Sequence, residues 1–219
     1  MKGSDNGRSR SSLLARREGF TVIEIAIVLV IIGIILGAVI KGQDLILGAR
    51  AKKFTNKVNA WDIAATTFLD RKGRYPGDAD KDGKIGDGNF KTDLIGATFM
   101  SPPYEGDTGS EANTITTGGY KFYVSYGTDG GADAGKNVVI ITTASATSPA
   151  FTADELAFAE TLDTSIDGSA DGAVGQVIGA IAAITFTAAE WEAIFAAAPT
   201  ATAWGTSTTS IVWYFDKKR

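Results

Sequence analysis

The chain has 219 residues and a formal net charge of −4, and it contains neither cysteine nor histidine. Without cysteine there is no disulfide framework, thiolate zinc site or cysteine nucleophile. Without histidine there is no imidazole base or ligand, so a serine triad is excluded and any bound metal must be a hard cation held by oxygen. Catalysis is not expected.

The charge is unevenly spread. The first 19 residues carry Lys2, Arg8, Arg10, Arg16 and Arg17 against Asp5 and Glu18, a net of +3. With 21 basic and 25 acidic residues in the whole chain, that leaves 16 and 23 over residues 20–219, a net of −7. Phosphate backbones are bound by clustered Lys and Arg, so nucleic acid is not an expected partner of this acidic body.

From Phe20 to Ile40 runs FTVIEIAIVLVIIGIILGAVI, 21 residues in which Glu24 is the only ionisable side chain. A helix of this length spans about 30 Å, the thickness of a bilayer's hydrocarbon core. Arg16 and Arg17 precede it and only Lys41 follows closely. Basic flanks stay in the cytoplasm, which puts the N-terminus inside and the body outside. A cleaved secretory signal is a simpler reading, but its apolar region runs about 7 to 15 residues and ends in a small-residue site. This stretch is longer and continues into GQDLILGARAKKF. An uncleaved signal anchor needs only the length. It leaves Glu24 unexplained, because a lone carboxylate costs about 2.5 to 3.5 kcal/mol at mid-bilayer depth on insertion scales.

RREGFTVIE followed by an apolar helix resembles the N-terminal signature of type IV pilins and type II secretion pseudopilins. The resemblance implies that prepilin peptidase cuts between Gly19 and Phe20, that Phe20 becomes the N-methylated first residue, and that Glu24 becomes the fifth. It implies a lollipop-shaped α+β fold, with a long N-terminal helix packed on an antiparallel sheet head. Its further implications are identical or related subunits in a helical filament and an inner-membrane assembly platform. The subunit then passes from a single-pass precursor in the inner membrane to an extracellular pilus or a periplasmic pseudopilus. Glu24 would pair with the free N-terminal ammonium of a neighbouring subunit, since a buried charge is tolerable when paired and expensive when not. Lys41 stands where the family's helix usually kinks at proline, and Gly33, Gly37 and Gly42 lie close by.

Beyond Ile40 the pattern becomes amphipathic. Leu47, Phe54, Val58, Trp61, Ala65 and Phe68 recur at the spacing of one helical face, which predicts that the helix continues over residues 41–72. Gly73 and Pro76 supply the stop. The remainder, residues 73–219, reads as a β-rich head. YKFYVSY at 120–126 and NVVIITT at 137–143 are strand-like and separated by turn residues, which predicts an antiparallel hairpin. Further strands are expected within 174–186 and 211–215. Capping boxes at Thr152 with Glu155 and at Thr187 with Glu190 predict two short helices, the second closed by Pro199. KGQDLILGA, the Tyr75–Asp78 turn, and Ile166, Asp167 and Gly168 ahead of Gly175 resemble a subgroup of prepilin-type proteins.

DADKDGKIGDGN, residues 78–89, places Asp78, Asp80 and Asp82 at alternate positions before Gly83. This is the spacing by which a tight turn brings several oxygens to one calcium ion. The Lys84 carbonyl is the expected backbone ligand and Asp87 an additional carboxylate, while position twelve is Asn89 rather than the bidentate Glu. The alternative is that Asp and Gly only build solvated turns. Asp163, Asp167 and Asp171 read as capping and turn chemistry, and Trp61, Trp191, Trp204 and Trp213 as core residues. The expectation for function is a filament subunit, either a major pilin or a minor pilin or pseudopilin. The rival of another class is a membrane-tethered, calcium-dependent binding module.

Overall fold

The computed structural model describes residues 19–96, 113–130, 135–144, 149–181, 184–187, 192–195 and 198–215. Two compact units are present, Met1–Asp44 and Leu45–Arg219. A single helix, α1 (Val22–Lys72), contributes to both. Up to Ile46 its large apolar side chains are exposed, and it is long and apolar enough to cross a membrane. It runs unbroken through Gly33, Gly37 and Gly42. The helix ends where Gly73 adopts φ 72° and donates its N–H to the Leu69 carbonyl at 2.8 Å, a stop that a side chain with a Cβ would strain.

From Leu45 onward the class is α+β. The remaining elements are α2 (Phe90–Gly96), β1 (Thr114–Thr117), β2 (Tyr120–Thr128), β3 (Asn137–Thr142), α3 (Ala153–Asp167), β4 (Val177–Ile181), β5 (Ile184–Thr187), β6 (Glu192–Phe195), β7 (Thr200–Thr202) and β8 (Ser210–Trp213). The strands form one sheet in the order β5-β6-β2-β3-β8-β4-β7, with β1 also paired to β2. Pairings are antiparallel except β2 with β6, which meet in parallel at Tyr126 and Glu192. The expected hairpin is β2 with β3, in register from Tyr123 opposite Thr142 to Thr128 opposite Asn137.

Every residue of β3 is buried, because both faces of the sheet are covered, and this is why NVVIIT reads as a continuous apolar run rather than an alternating one. One face carries Val124, Tyr126, Val139, Ile141, Val177 and Ile211, packed with the α1 stripe and with Leu156, Phe158, Ala159 and Leu162 of α3. The other carries Val138, Ile140, Ile178 and Val212 with Phe195 and Tyr214. Phe54 of α1 meets Phe122 of β2 at 4.6 Å between ring centroids and Phe158 of α3 at 5.6 Å, so one side chain joins helix, sheet and second helix.

Two expectations need correction. The stretch expected as one strand within 174–186 is two, β4 and β5. The helix expected after Thr187 does not form where the chain is described. Thr187 ends β5 and Glu192 begins β6, the two residues being opposite each other in an antiparallel pair. Glu190 and Trp191 lie outside the described residues. Pairing of ITFT with EAIF captures both segments into the sheet and overrides the local capping signal. The box at Thr152 does form: Glu155 N–H donates to Thr152 Oγ1, and Thr152 N–H donates to Glu155 Oε2 at 2.8 Å.

Phe54→Ala is expected to destabilise the detergent-solubilised full-length chain by about 3 to 5 kcal/mol. Ile63→Ala, at an exposed position of the same helix, should stay within about 0.5 kcal/mol. Denaturant unfolding followed by tryptophan fluorescence measures both.

Candidate functional site

The sites expected from sequence fall in three places: the start of α1, the loop after it, and the turn after α3. At the first, Phe20 and Glu24 are exposed, and Glu24 is the third residue of α1. Thr21, immediately before the helix, donates both its N–H and its hydroxyl to Glu24 Oε2 at 2.8 Å, and Glu24 N–H returns a bond to Thr21 Oγ1 at 3.3 Å. This is a capping box, in which a carboxylate satisfies a helix N-terminus that would otherwise leave donors unpaired. Both bonds that the Glu24 carboxylate accepts from Thr21 fall on Oε2. Glu24 Oε1 accepts none from the described residues. Thr21 is not among the site residues expected above, although the spacing Thr-x-x-Glu before an apolar run signals its role.

At the second place, the loop from Gly73 to Asn89 is held at several points. Arg74 grips Asp93 of α2 through Nη1 to Oδ2 at 2.6 Å and Nη2 to Oδ1 at 2.9 Å, and its Nη1 also donates to the Asp78 carbonyl at 2.9 Å. Asn137, the first residue of β3, accepts from Ile85 N–H at 2.9 Å and donates to the Gly83 carbonyl at 2.8 Å. The Ile85 side chain is fully buried in the core shared with α1.

Within this frame the carboxylates of Asp78, Asp80 and Asp87 converge, with oxygen atoms within 4.8 Å of one another. Each is bound to backbone N–H groups. Asp78 accepts from Lys81 and Gly83 at 2.6 and 3.1 Å, Asp87 from Ala79 and Asp80 at 2.6 and 2.9 Å, and Asp80 from Asp82 at 2.9 Å. Asp82 stands outside that group. It accepts from Lys84 N–H at 2.7 Å, and its other oxygen lies 3.8 Å from Lys84 Nζ. Asn89, read as the twelfth loop position, serves as the N-cap of α2, accepting Thr92 N–H at 2.8 Å on its side chain. The donor set is three carboxylates on a fixed loop, which suits a hard cation such as calcium in charge and ligand type.

The third place shows carboxylates used as turn builders. Asp167 Oδ2 accepts from Gln176 and Val177 at 2.8 Å, and Asp171 Oδ1 from Ala173 and Val174 at 2.9 Å. Asp163 is fully buried. Its Oδ2 accepts from Gly172 N–H at 3.0 Å and Trp204 Nε1 at 2.8 Å, while its Oδ1 has no hydrogen-bond partner among the described residues. The Trp204 ring lies so close over Gly172, itself at φ 68°, that a Cβ there would come within 2.8 Å of it. Trp204 is thus partly buried and acts as the donor to Asp163, while Trp61 and Trp213 are core residues and Trp191 lies outside the described residues.

Burial pushes the Asp163 carboxyl above its ordinary pKa, and the nearby Asp167 and Asp171 push the same way, against the bonds from Trp204 and Gly172. A carboxyl raised in the folded state binds its proton more tightly there than in the unfolded chain, so its contribution to stability grows as pH falls through the interval above 3.8. Asp163→Asn keeps an oxygen acceptor and removes the charge. The melting temperature of Asp163→Asn relative to wild type should therefore be highest at neutral pH and decline toward pH ~4. A constant difference across a calorimetric pH series would refute the charge effect.

Comparison of this chain with protein-family models, curated proteins and solved structures finds no match.

Proposed function

We propose that the chain is a structural subunit of a type IV pilus-like filament. Prepilin peptidase removes the leader after Gly19, Phe20 is N-methylated, and the apolar helix polymerises with identical or related subunits on an inner-membrane platform. The precursor spans the inner membrane once with its N-terminus cytoplasmic, and its product is an extracellular pilus or a periplasmic pseudopilus. A minor pilin or pseudopilin role fits the same residues. The observation that carries this reading is Glu24, the only ionisable side chain between Phe20 and Ile40, on the part of α1, up to Ile46, whose large apolar residues are exposed.

Thr21 occupies one Glu24 oxygen, and in this reading the other accepts from a donor on a neighbouring subunit. In an apolar bundle a neighbour's N-terminal ammonium supplies that donor and its charge. The interaction lowers the cost of burying the acid only when subunits are correctly staggered. Catalysis plays no part in this function. Mass spectrometry of the exported protein is expected to show loss of residues 1–19 and a methylated Phe20, while an intact N-terminus would overturn the reading. Glu24→Ala should abolish incorporation into filaments and leave membrane insertion unchanged, read by filament purification and membrane fractionation.

A second reading, a membrane-tethered module that binds its target in a calcium-dependent way, is favoured by the convergence of Asp78, Asp80 and Asp87. A calcium ion there would offset three neighbouring negative charges and tie the loop before α2 to the body. At a calcium concentration 100 times its Kd, linkage adds about 2.7 kcal/mol of stability. Calcium titration of the full-length chain should therefore raise the melting temperature, and Asp80→Asn with Asp87→Asn should remove the rise. No shift up to millimolar calcium would dismiss the ion.

A further inference from the structure

Charge is segregated within the unit that begins at Leu45. The sequence contains no Lys or Arg between Lys136 and Lys217, so the charged residues of α3 are all acidic and the strands from β4 to β8 carry only Glu192. Of the Lys and Arg that precede this stretch, Arg50, Lys52, Lys53 and Lys57 lie close together on α1. Arg50, Lys53 and Lys57 share one helical stripe beside the β1–β2 hairpin. There Lys57 Nζ donates to the Thr116 carbonyl at 3.3 Å, Thr117 Oγ1 donates to the Arg50 carbonyl at 3.5 Å, and the Arg50 side chain packs on Gly118.

The acidic counterpart is the second half of α3 and the turn that follows it, where Glu160 and Asp171 are exposed and Asp167 is half-buried. This end of α3 is tied to β4 through Asp167, and β4 pairs with β7, the last strand of the sheet. The last turn of α3 has no basic residue, so the negative end of the helix dipole adds to these carboxylates instead of being offset. Lys52 stands across a groove from Glu160, with Thr164 and Ser165 on the same wall as Glu160.

We propose that the acidic edge formed by Glu160, Asp167 and Asp171 receives the basic stripe Arg50, Lys53 and Lys57 of a second copy of this chain. The inference rests on the filament reading and names the surfaces through which neighbouring heads meet. Because the two patches are different parts of one chain, the contact is heterologous and repeats from copy to copy in one direction. Paired potentials of this kind govern the encounter rate and the register more than the final affinity, and salt screens them over about 8 Å at physiological ionic strength.

The cysteine-free sequence makes a direct test possible. Full-length chain carrying Lys53→Cys and Thr164→Cys, both at exposed positions, is treated with a short bis-maleimide in assembled filaments. A ladder of cross-linked multimers beyond the dimer is expected from the double variant, and dimers at most from either single variant. Adding Arg50→Glu with Lys57→Glu should cut the ladder at least tenfold, and adding Glu160→Lys with Ser165→Lys to those changes should restore it. Melting temperatures of each variant establish that the fold is retained.

Filaments without a ladder overturn the proposed contact and leave the role of Glu24 standing. If wild type forms no filaments, the filament reading fails, and the same ladder is then sought in the detergent-solubilised chain, where its absence overturns the contact too. Loss of the ladder on reversing the acidic edge but not on reversing the basic stripe would point to a different cationic partner, and would also overturn it.

Discussion

The unit that begins at Leu45 depends on burying one stripe of α1. Phe54, Val58, Trp61, Ala65 and Phe68 recur every three or four residues and enter the same core as the sheet and α3. Each large apolar side chain that leaves water contributes about 1.5 to 3 kcal/mol, set against the conformational entropy lost on ordering the chain. With no disulfide available, this packing holds helix and sheet together without a covalent cross-link. Phe54 shows how local it is, since its ring touches one aromatic residue on β2 and one on α3. Together with α3, α1 covers the sheet face that carries Val124, Tyr126, Val139 and Ile141.

Polar groups perform the corresponding task where no regular structure exists. The segment from Gly73 to Asn89 is ordered because its carboxylates accept backbone N–H groups, Arg74 clamps Asp93, and Asn137 receives Ile85 from across the core boundary. Charge-assisted bonds of this type are about twice as strong as neutral ones. The turn after α3 follows the same logic, with Asp167 fixing the start of β4 and Asp163 holding Trp204. The acidic excess of the body is therefore largely architectural at these two turns.

Much of the fold is legible in the sequence because its signals are strong and local. The α1 stripe, the glycine stop at Gly73, the β2–β3 hairpin and the capped start of α3 all follow from spacing and turn chemistry. Thr152 and Thr187 offer the same capping signature, yet only the first caps a helix. The difference lies in the partner segment, because β6 comes back to pair with β5 and no window around Thr187 contains that fact. The helix α2 was not legible for a related reason. Its seven residues are held by Arg74, which lies before the loop of residues 78–89, and Asn89, which departs from the calcium pattern at the twelfth loop position, is the cap of this helix. Three of the four aspartates singled out for calcium converge, and Asp82 does not, because its own neighbour Lys84 engages it first. At the other end, Glu24 was legible as an anomaly of charge, whereas its bond to Thr21 needed only closer attention to spacing.

The continuity of α1 has a mechanical consequence. Its exposed apolar half and its buried stripe belong to one uninterrupted ladder of hydrogen bonds from Val22 to Lys72. A pull along the helix axis, applied where this unit begins at Leu45, reaches Phe54 and Trp61 as shear. Side chains seated in a core do not peel away singly under shear, so several must slip together, and resistance is then set by the rate of forced unfolding rather than by equilibrium stability.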